Sequence, residues 1–522
     1  MATWKRGAAL AGAATPAGTA ALAERRAAVS RLAYGPLGRT GLTVSRLGFG
    51  SYRVDVETPV HRAALERALG SGVNLVDTST NYADGGSEEL VGQVVGDLAG
   101  TGRIAREATV VVSKIGYVQG QNLALARERD AEGRPFPEMV RYQASCWHCV
   151  HPAFLEDQLA RSLARLGLET LDVCLLHNPE YFFSDAAERC EGPIESLRDE
   201  FYRRLEGAFR FFETQVAAGR LRWYGVSSNT IARAVDDPEA TSLTRMLAAA
   251  REAGGPDHHF AVLQLPLNLF EAEGALQATD PPAGPLTARR SVLELAAREG
   301  LGVLVNRPLN AVMGRGTVRL ADFPAPPAGA LARELAAVGA LEAEYRSEIA
   351  SRLRVKPDSD QPEDFLRWAE QLAAIRERIS GVTYWEQVEW QVRGMTARVI
   401  RALDQGLAGE TAERWRGFRD RYRPALERLL GAFRADAAGR SQRESRAVGA
   451  ALDPALPGER RGAPLSQKAL WVVASTPGVS TVLVGMRRPA YVEDATRILD
   501  WPPLADARSV YTTLRGLRLP GA

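Results

Sequence analysis

Eight short apolar segments, which alternate with amphipathic ones, constrain the fold of this chain more than any other feature of its sequence. The apolar segments are dense in Val and Leu and alternate little with polar residues, which is typical of strands buried on both faces of a parallel sheet. The intervening stretches, such as 152–166 and 205–218, repeat apolar residues with helical spacing. The eight segments are 42–50, 74–79, 109–116, 171–177, 222–228, 260–268, 302–309 and 481–486.

Eight strand–helix units predict an α/β protein, a (β/α)8 TIM barrel with its chemistry at the C-terminal ends of the strands. Residues 32–48 hold a Gly-Arg-Thr-Gly turn at 38–41 between extended segments. We interpret this as an N-terminal β-hairpin that closes the floor of the barrel. The predicted barrel domain comprises residues 32–312 and 463–522.

The alternation stops between the seventh and eighth strands, where residues 313–462 predict an all-α insertion. Four stretches there repeat apolar residues three or four apart, as in a helix bundle. Residues 441–464 are polar and contain Gly and Pro, which predicts a linker back to the barrel. The insertion follows a strand end, so it could wall the substrate pocket or form an oligomer interface, and the sequence favours neither.

Charge and cysteine content exclude several classes of function. The 65 basic and 63 acidic residues nearly balance, and no apolar run is long enough to cross a bilayer, so we expect no nucleic-acid or membrane partner. Four cysteines in 522 residues are too few for a disulfide framework, which favours a reducing compartment and a cytoplasmic protein. Residues 1–31 are rich in Ala and Arg and predict a flexible tail, or alternatively an organellar transit peptide. The oligomeric state is open.

Four polar side chains lie at or near the ends of successive predicted strands. Asp77 and Tyr82 follow the second strand, Lys114 is embedded in the apolar third strand, and His177 ends the fourth. The C-terminal strand ends of a barrel meet at one face, so we expect these side chains to lie together. A buried ammonium needs a partner, and Asp77 on the adjacent strand is the natural one for Lys114.

This set suits hydride addition to a carbonyl, which builds negative charge on oxygen and needs a proton donor. A free tyrosine titrates at about pH 10, and we expect the Lys114 cation to lower the pKa of Tyr82. In this hypothesis Asp77 holds Lys114 in place. His177 would orient the carbonyl oxygen by hydrogen bonding.

These residues and several motifs resemble the aldo-keto reductase family. The resemblance spans about residues 34–310 and 464–500, and therefore covers the barrel but not the insertion. It implies an NAD(P)-dependent oxidoreductase that reduces an aldehyde or ketone to an alcohol, or the reverse, with Tyr82 as general acid/base. The matching positions are 37–50, Asp77, Tyr82, Lys114, His177, 224–229, Gln264 and 476–479.

The resemblance also implies a cofactor site. Asn306 takes the position where the family usually stacks an aromatic ring on the nicotinamide. Arg487 and Arg488 suit the 2′-phosphate of NADP, since guanidinium binds phosphate bidentately, and NAD is the alternative cofactor. Positions that match the family's contacts to the nicotinamide and its ribose are Gly50, Ser51, Ser228, Asn229 and Gln264.

Two further motifs leave alternatives open. Cys146, Cys149 and His151 have zinc-like spacing, but no second cysteine pair follows, so we predict reduced structural thiols and no metal. A regulatory subunit that binds a nicotinamide cofactor and uses the insertion as its partner surface is the main alternative function. A Schiff-base lyase based on Lys114 would leave Tyr82 unexplained.

Overall fold

The computed structural model describes residues 9–26, 33–189, 192–279, 290–313, 316–324, 330–353 and 365–517. Of the four cysteines, Cys190 lies outside these residues. The chain divides into two compact units, one of residues 1–309 and 466–512 and one of residues 310–465 and 513–522. Among the described residues, no helix combines the length and the apolarity needed to span a bilayer.

Strands in the described residues are β1 (Tyr34–Pro36), β2 (Thr43–Ser45), β3 (Leu47–Gly50), β4 (Leu75–Asp77), β5 (Val110–Ile115), β6 (Tyr117–Val118), β7 (Val140–Gln143), β8 (Cys146–His148), β9 (Leu171–His177), β10 (Leu221–Ser227), β11 (Phe260–Pro266), β12 (Gly302–Asn306), β13 (Asn310–Met313), β14 (Gly316–Arg319) and β15 (Thr481–Val484). The α-helices are α1 (Pro16–Arg25), α2 (Pro59–Gly70), α3 (Gly86–Gly100), α4 (Gly120–Ala131), α5 (Pro152–Leu166), α6 (Tyr181–Glu188), α7 (Ile194–Ala217), α8 (Leu243–Gly254), α9 (Glu273–Leu276), α10 (Val292–Arg298), α11 (Ala330–Glu348), α12 (Trp368–Ile375), α13 (Val382–Gly406), α14 (Gly409–Leu452), α15 (Leu465–Ala474), α16 (Pro489–Thr496) and α17 (Ala507–Leu514).

The first unit contains a closed parallel barrel with the strand order β3-β4-β5-β9-β10-β11-β12-β15, and β15 pairs with β3 to close it. Each barrel strand falls within one of the eight apolar segments to within a residue, so the predicted (β/α)8 fold is confirmed. All seven residues of β9 and of β11 are buried. Gly225 lets β10 approach β11, because a Cβ there would come within 1.6 Å of the Val262 carbonyl oxygen.

The predicted hairpin covers the N-terminal end of the barrel. β1 and β2 pair antiparallel, and the turn between them lies against the start of β12. Gly38 adopts a positive φ of 52°, and a Cβ there would meet the Gly302 nitrogen at 2.2 Å. Arg39 extends the contact, because its guanidinium donates to the Phe260 carbonyl and its backbone N–H donates to the Gly300 carbonyl at 2.6 Å. The opposite end of the barrel carries the candidate site.

The N-terminal region differs from the flexible tail that we predicted. Helix α1 begins at Pro16, and the Thr15 side chain caps it by accepting from the Gly18 N–H. The Ala14 N–H donates to Asp172 Oδ1 at 2.6 Å, and this ties residues 9–26 to the barrel. The Ala-rich composition alone did not predict this capped helix, whose small side chains allow close packing.

The second unit is helical and contains α11 to α14, which match the four predicted patterns. Its aromatic core includes Trp385, which stacks on Phe433 at 5.0 Å between ring centroids. Two features differ from the predicted all-α insertion and its linker. Strands β13 and β14 form an antiparallel hairpin. Helix α14 continues through residues 441–452, where we predicted a linker. The polar residues there make internal hydrogen bonds: Ser441 Oγ accepts from the Val382 N–H at 3.0 Å, and Ser445 Oγ donates to the Ala321 carbonyl at 2.6 Å.

Candidate active site

A buried ion pair forms the centre of the candidate site. Lys114 Nζ donates to Asp77 Oδ2 at 2.7 Å and to the Thr78 carbonyl at 2.7 Å. Lys114 is fully buried, and Asp77 is 3% exposed. Gln264 donates from Nε2 to Asp77 Oδ1 at 2.8 Å, so both carboxylate oxygens are engaged. Side chains from β4, β5 and β11 therefore hold the Asp77 carboxylate and the Lys114 ammonium in place.

Burial acts on both members of this pair. It raises the pKa of Asp77, and the attraction of Lys114 and the hydrogen bonds from Lys114 and Gln264 oppose the rise. Burial also lowers the pKa of Lys114, and Asp77 opposes that change. Removing one partner would leave an uncompensated buried charge, which is strongly destabilising.

Tyr82 lies beside this pair in a tight turn after β4. The turn needs left-handed backbone at Ala83 (φ 48°) and Asp84 (φ 53°), and this conformation directs the chain away from the barrel into α3. Lys114 Nζ is 4.7 Å from the centre of the Tyr82 ring. The ring also packs edge-on against His177 at 5.8 Å and against Tyr52 at 5.2 Å.

The pKa of Tyr82 is raised in this structure, whereas we expected Lys114 to lower it. Burial raises the pKa of the Tyr82 phenol well above 10.0, and the carboxylate of Asp77 raises it further. Lys114 is paired with Asp77 at 2.7 Å, and its attraction for a phenolate is outweighed by burial and by the Asp77 charge. Tyr82 is therefore protonated at neutral pH.

His177 ends β9 within a shell of polar and aromatic side chains. Its Nδ1 lies 2.9 Å from Ser79 Oγ, and its carbonyl oxygen lies 2.8 Å from His148 Nε2. The Tyr117 ring packs edge-on against the imidazole with 4.6 Å between centroids. Burial, followed by the charge of Lys114, lowers the pKa of His177 well below 6.5. His177 is therefore neutral at physiological pH.

The residues predicted to contact the cofactor ribose lie at the end of β3. Gly50 pairs with Asp77 in the parallel ladder, and a Cβ there would meet only ordinary contacts from 3.5 Å. The fully buried Ser51 donates from Oγ to the Asp77 carbonyl at 2.8 Å. Ser87 Oγ lies 2.7 Å from Ser51 Oγ, so the Ser51 hydroxyl supports the backbone at Asp77.

The residues predicted to bind the nicotinamide carboxamide follow β10. Ser228 is fully buried and lies 3.1 Å from the Thr241 hydroxyl, whereas the Asn229 side chain is exposed. The Asn229 N–H donates to Glu180 Oε1 at 2.6 Å. Oε2 of Glu180 is sealed from solvent without a full hydrogen bond. The nearby Ser228 hydroxyl favours the carboxylate, but burial outweighs it and raises the pKa of Glu180 to about 7.

The remaining predicted cofactor residues lie at the ends of β12 and β15. The half-buried Asn306 has a side-chain oxygen that is sealed from solvent and has no hydrogen-bond partner. Arg488 is exposed and precedes Pro489, the first residue of α16, and Arg487 is half-buried beside it. The structure thus places amide groups at one edge of the barrel mouth and guanidinium groups at another.

Comparison with known proteins shows which family the barrel matches. Residues 46–271 match the model of the Aldo/keto reductase family, and this range contains Asp77, Tyr82, Lys114 and His177. Over residues 46–271, the barrel is an aldo/keto reductase domain.

Individual relatives are distant. The NADH-specific methylglyoxal reductase of Escherichia coli (strain K12) is 28% identical over 183 residues, 33% of this chain and 50% of that protein. A probable voltage-gated potassium channel subunit beta of Oryza sativa subsp. japonica is 30% identical over 155 residues, 28% of this chain and 38% of that protein. A solved glycerol dehydrogenase of Gluconobacter oxydans has a TM-score of 0.46 at 16% identity, and the match covers 94% of this chain and 97% of that one. The chain spans about half or less of the length of the two curated relatives.

The donor set of the aldo/keto reductase domain fits a nicotinamide dinucleotide. The orphaned amide oxygen of Asn306 and the exposed amide of Asn229 are groups that a carboxamide can complement. The exposed guanidinium of Arg488 precedes a helix N-terminus, and both favour an anion. The Gln264 amide donates to Asp77, and its contact with the nicotinamide stays a prediction.

Three of the four cysteines lie among the residues that the structure describes. Cys146, Cys149 and Cys174 are free and buried. Within the residues that the structure describes, no group of three or more His, Cys, Asp or Glu side chains could hold a metal ion. Burial raises the pKa of Cys149 to about 12, so this thiol is not a thiolate at neutral pH.

Several residues of the site were not predicted from the sequence. Ser79, Tyr117, His148 and Glu180 all contact either His177 or the segment after β10. Glu180 could have been predicted from the sequence, because it is a carboxylate only three residues after the end of a buried strand. Ser79 gave none, since its contact with His177 depends on the path of the chain between β4 and Tyr82.

Proposed function

We propose that this protein is an NADP-dependent oxidoreductase that reduces an aldehyde or ketone to an alcohol, or catalyses the reverse reaction. One observation carries the proposal: the ammonium of Lys114 is fixed by Asp77 at 2.7 Å and lies 4.7 Å from the Tyr82 ring. A protonated phenol beside a buried cation is the arrangement that carbonyl reduction requires. The aldo/keto reductase domain supports the same chemistry.

Each residue of the site has a distinct part in this reaction. The reduced nicotinamide, when bound, supplies a hydride to the carbonyl carbon. Tyr82 donates its phenolic proton to the carbonyl oxygen, which becomes the alcohol oxygen. The charge left on the phenolate is stabilised by the ammonium of Lys114, which lies 4.7 Å from the centre of the Tyr82 ring in this buried setting. Asp77 acts on the reaction through Lys114, by holding the ammonium in place.

The preference for NADP rests on the guanidinium groups after β15. Arg488 is exposed and its side chain is free to bind the 2′-phosphate that distinguishes NADP from NAD. The relative from Escherichia coli is named for NADH, so the cofactor needs a direct comparison. Titration of the protein with NADPH and with NADH, followed by fluorescence, gives both dissociation constants.

Tyr82→Phe tests the proton-donor role, and Tyr52→Phe is the matched control because its ring touches Tyr82 but is 68% exposed. We expect Tyr82→Phe to reduce kcat on a panel of aldehydes and ketones by at least ~10²-fold without changing the Kd of NADPH. Tyr52→Phe should retain most of kcat. Equal activity of Tyr82→Phe and the parent would refute the assignment.

A second candidate is a regulatory subunit that binds a nicotinamide cofactor and uses the helical unit as its partner surface. The 30% identity over 155 residues to the rice channel subunit beta is the observation that raises this candidate. The two candidates differ in turnover. A protein that binds NADPH but shows no Tyr82-dependent turnover of any carbonyl on the panel would support the regulatory function.

A further inference from the structure

A groove runs between α13 and α14 of the helical unit. Helix α13 ends at Gly406 and α14 begins at Gly409, so the two helices form a hairpin. The groove has a volume of about 480 Å³, and all the residues that line it belong to the second unit. Sites for small molecules measure roughly 300 to 1,000 Å³, so the groove is large enough to hold one.

Part of the groove surface is apolar. Leu426 and Leu430 of α14 line it and are buried. Ile400 of α13 lies opposite them and packs against the aromatic core of the unit, yet it stays partly exposed. A ligand with an apolar body would gain free energy by covering this side chain.

One hydroxyl in the groove has no partner. Thr396 of α13 is 6% exposed, and its Oγ1 is sealed from solvent without a hydrogen bond to any residue that the structure describes. The neighbouring buried positions of α13, Val392 and Leu403, are apolar, so packing alone does not require a hydroxyl here. An unpaired buried hydroxyl costs free energy, which an acceptor oxygen of a ligand would recover.

Two guanidinium groups at the groove have no carboxylate in contact. Arg401 of α13 and Arg423 of α14 both line it and are exposed. Neither forms an ion pair or a hydrogen bond with a described residue, although Arg423 attracts the carboxylate of Asp404 from beyond contact distance. The hairpin therefore brings two uncompensated positive charges to one groove.

The two carboxylates that line the same groove are engaged by other side chains. Asp404 Oδ1 accepts from Trp415 Nε1 at 2.7 Å and from Arg419 at 2.9 Å. Glu427 Oε2 accepts from Arg393 at 2.8 Å. These contacts leave the guanidinium groups of the preceding paragraph open to an external anion.

We propose that this groove binds an organic phosphate monoester. Such a group carries about 1.5 to 2 negative charges at neutral pH, which Arg401 and Arg423 together match. Guanidinium binds phosphate oxygens bidentately, and the Thr396 hydroxyl donates to a further oxygen. The organic group covers Ile400. This site goes beyond the proposed function and does not depend on it.

Isothermal titration calorimetry of the full chain with phenyl phosphate measures the binding. Benzoate has a similar apolar body but one charge, and inorganic phosphate has the charge but no apolar body. We expect phenyl phosphate to bind at one site with a Kd about tenfold below that of either. Saturating NADPH should not displace it, because the groove lies outside the barrel.

Substitution of each arginine locates the site. Arg401→Gln and Arg423→Gln should each raise the Kd of phenyl phosphate about tenfold, since each removes a charge-assisted contact. Arg446→Gln is the matched control. It removes the same charge from an exposed position of α14 that lies roughly 34 Å from Arg423, at 1.5 Å per residue, and should leave the Kd unchanged.

Thr396→Val separates ligand binding from folding. The variant loses only an unpaired hydroxyl, so its urea midpoint should equal or exceed that of the parent, whereas the Kd of phenyl phosphate should rise about threefold. An unchanged Kd in this stable variant would overturn the role of Thr396. The site itself would be overturned if the parent did not bind phenyl phosphate, if NADPH displaced it, or if Arg446→Gln weakened binding as much as Arg401→Gln and Arg423→Gln.

Discussion

Glu180 should make the stability of the barrel depend on pH in an unusual direction. Burial raises the pKa of this carboxyl from its ordinary 4.5 to about 7. Its Oε2 is sealed from solvent, and Arg233 offsets only part of the cost of ionisation. A carboxyl with a raised pKa favours the folded protein while it is protonated, so this contribution is lost as pH rises from about 4.5 to about 7.

The size of the effect follows from the shift of roughly 2.5 pKa units. Each unit corresponds to about 1.4 kcal/mol, so ionised Glu180 destabilises the barrel by roughly 3 kcal/mol at pH 8. Glu180→Gln keeps an oxygen for the Asn229 N–H and removes the charge. We therefore expect the variant to match the parent near pH 4.5 and to exceed it by about 5 °C in Tm at pH 8.

Thermal unfolding from pH 4.5 to 8.5, followed by calorimetry, measures the difference between the variant and the parent. Glu188→Gln is the matched control, since this carboxylate is exposed at the end of α6, the helix that begins directly after Glu180. The Tm of Glu188→Gln should equal that of the parent at every pH. If Glu180→Gln also followed the parent over the whole range, the carboxyl would have an ordinary pKa, and the reasoning from burial would be refuted.

Three further outcomes are expected. Arg488→Ala should raise the Kd of NADPH about tenfold and leave that of NADH unchanged in fluorescence titrations, since only NADPH carries the phosphate; equal changes would remove the basis for NADP. Glu342→Ala should lower the free energy of unfolding of the helical unit by ~3 kcal/mol in urea, because Glu342 accepts from the Trp368 N–H and the Tyr422 hydroxyl, both at 2.8 Å; Glu348→Ala, at the exposed end of α11, serves as control. At pH 8 a thiol reagent should leave Cys146, Cys149 and Cys174 unmodified until denaturant is added, and more than one reactive thiol in the folded protein would contradict their burial.

Strand ends were the part of the site most accessible to sequence reasoning. Asp77, Lys114 and His177 interrupt apolar segments, and the geometry of a barrel brings such positions to one face. The Asp77–Lys114 pair followed from the cost of an unpaired buried charge. The contact between Ser79 and His177 could not be predicted in this way, because it joins a turn to a strand 98 residues later and depends on side-chain positions.

Amino-acid composition predicted the structure less well in two segments whose conformation depends on packing. Residues 441–452 are polar, yet they continue α14, because Ser441 and Ser445 direct their hydroxyls inward to backbone groups. The Ala-rich N-terminal segment resembled a tail, yet the carboxylate of Asp172 fixes its backbone at Ala14. In both cases the deciding partners are distant in the chain, so the local sequence carries no sign of them.

The acidity of Tyr82 shows how the balance of two opposing effects depends on distance and burial. An adjacent lysine lowers the pKa of a phenol, whereas burial and an adjacent carboxylate raise it. Here Asp77 compensates Lys114 at 2.7 Å, and burial of the phenol prevails, so Tyr82 keeps its proton in the resting protein. Any stabilisation of the phenolate by Lys114 offsets only part of the rise in the Tyr82 pKa that burial and Asp77 cause. In the proposed reaction, the ammonium of Lys114 would lower the energy of the state in which negative charge passes from the substrate oxygen to the phenolate, which is where stabilisation accelerates a reaction.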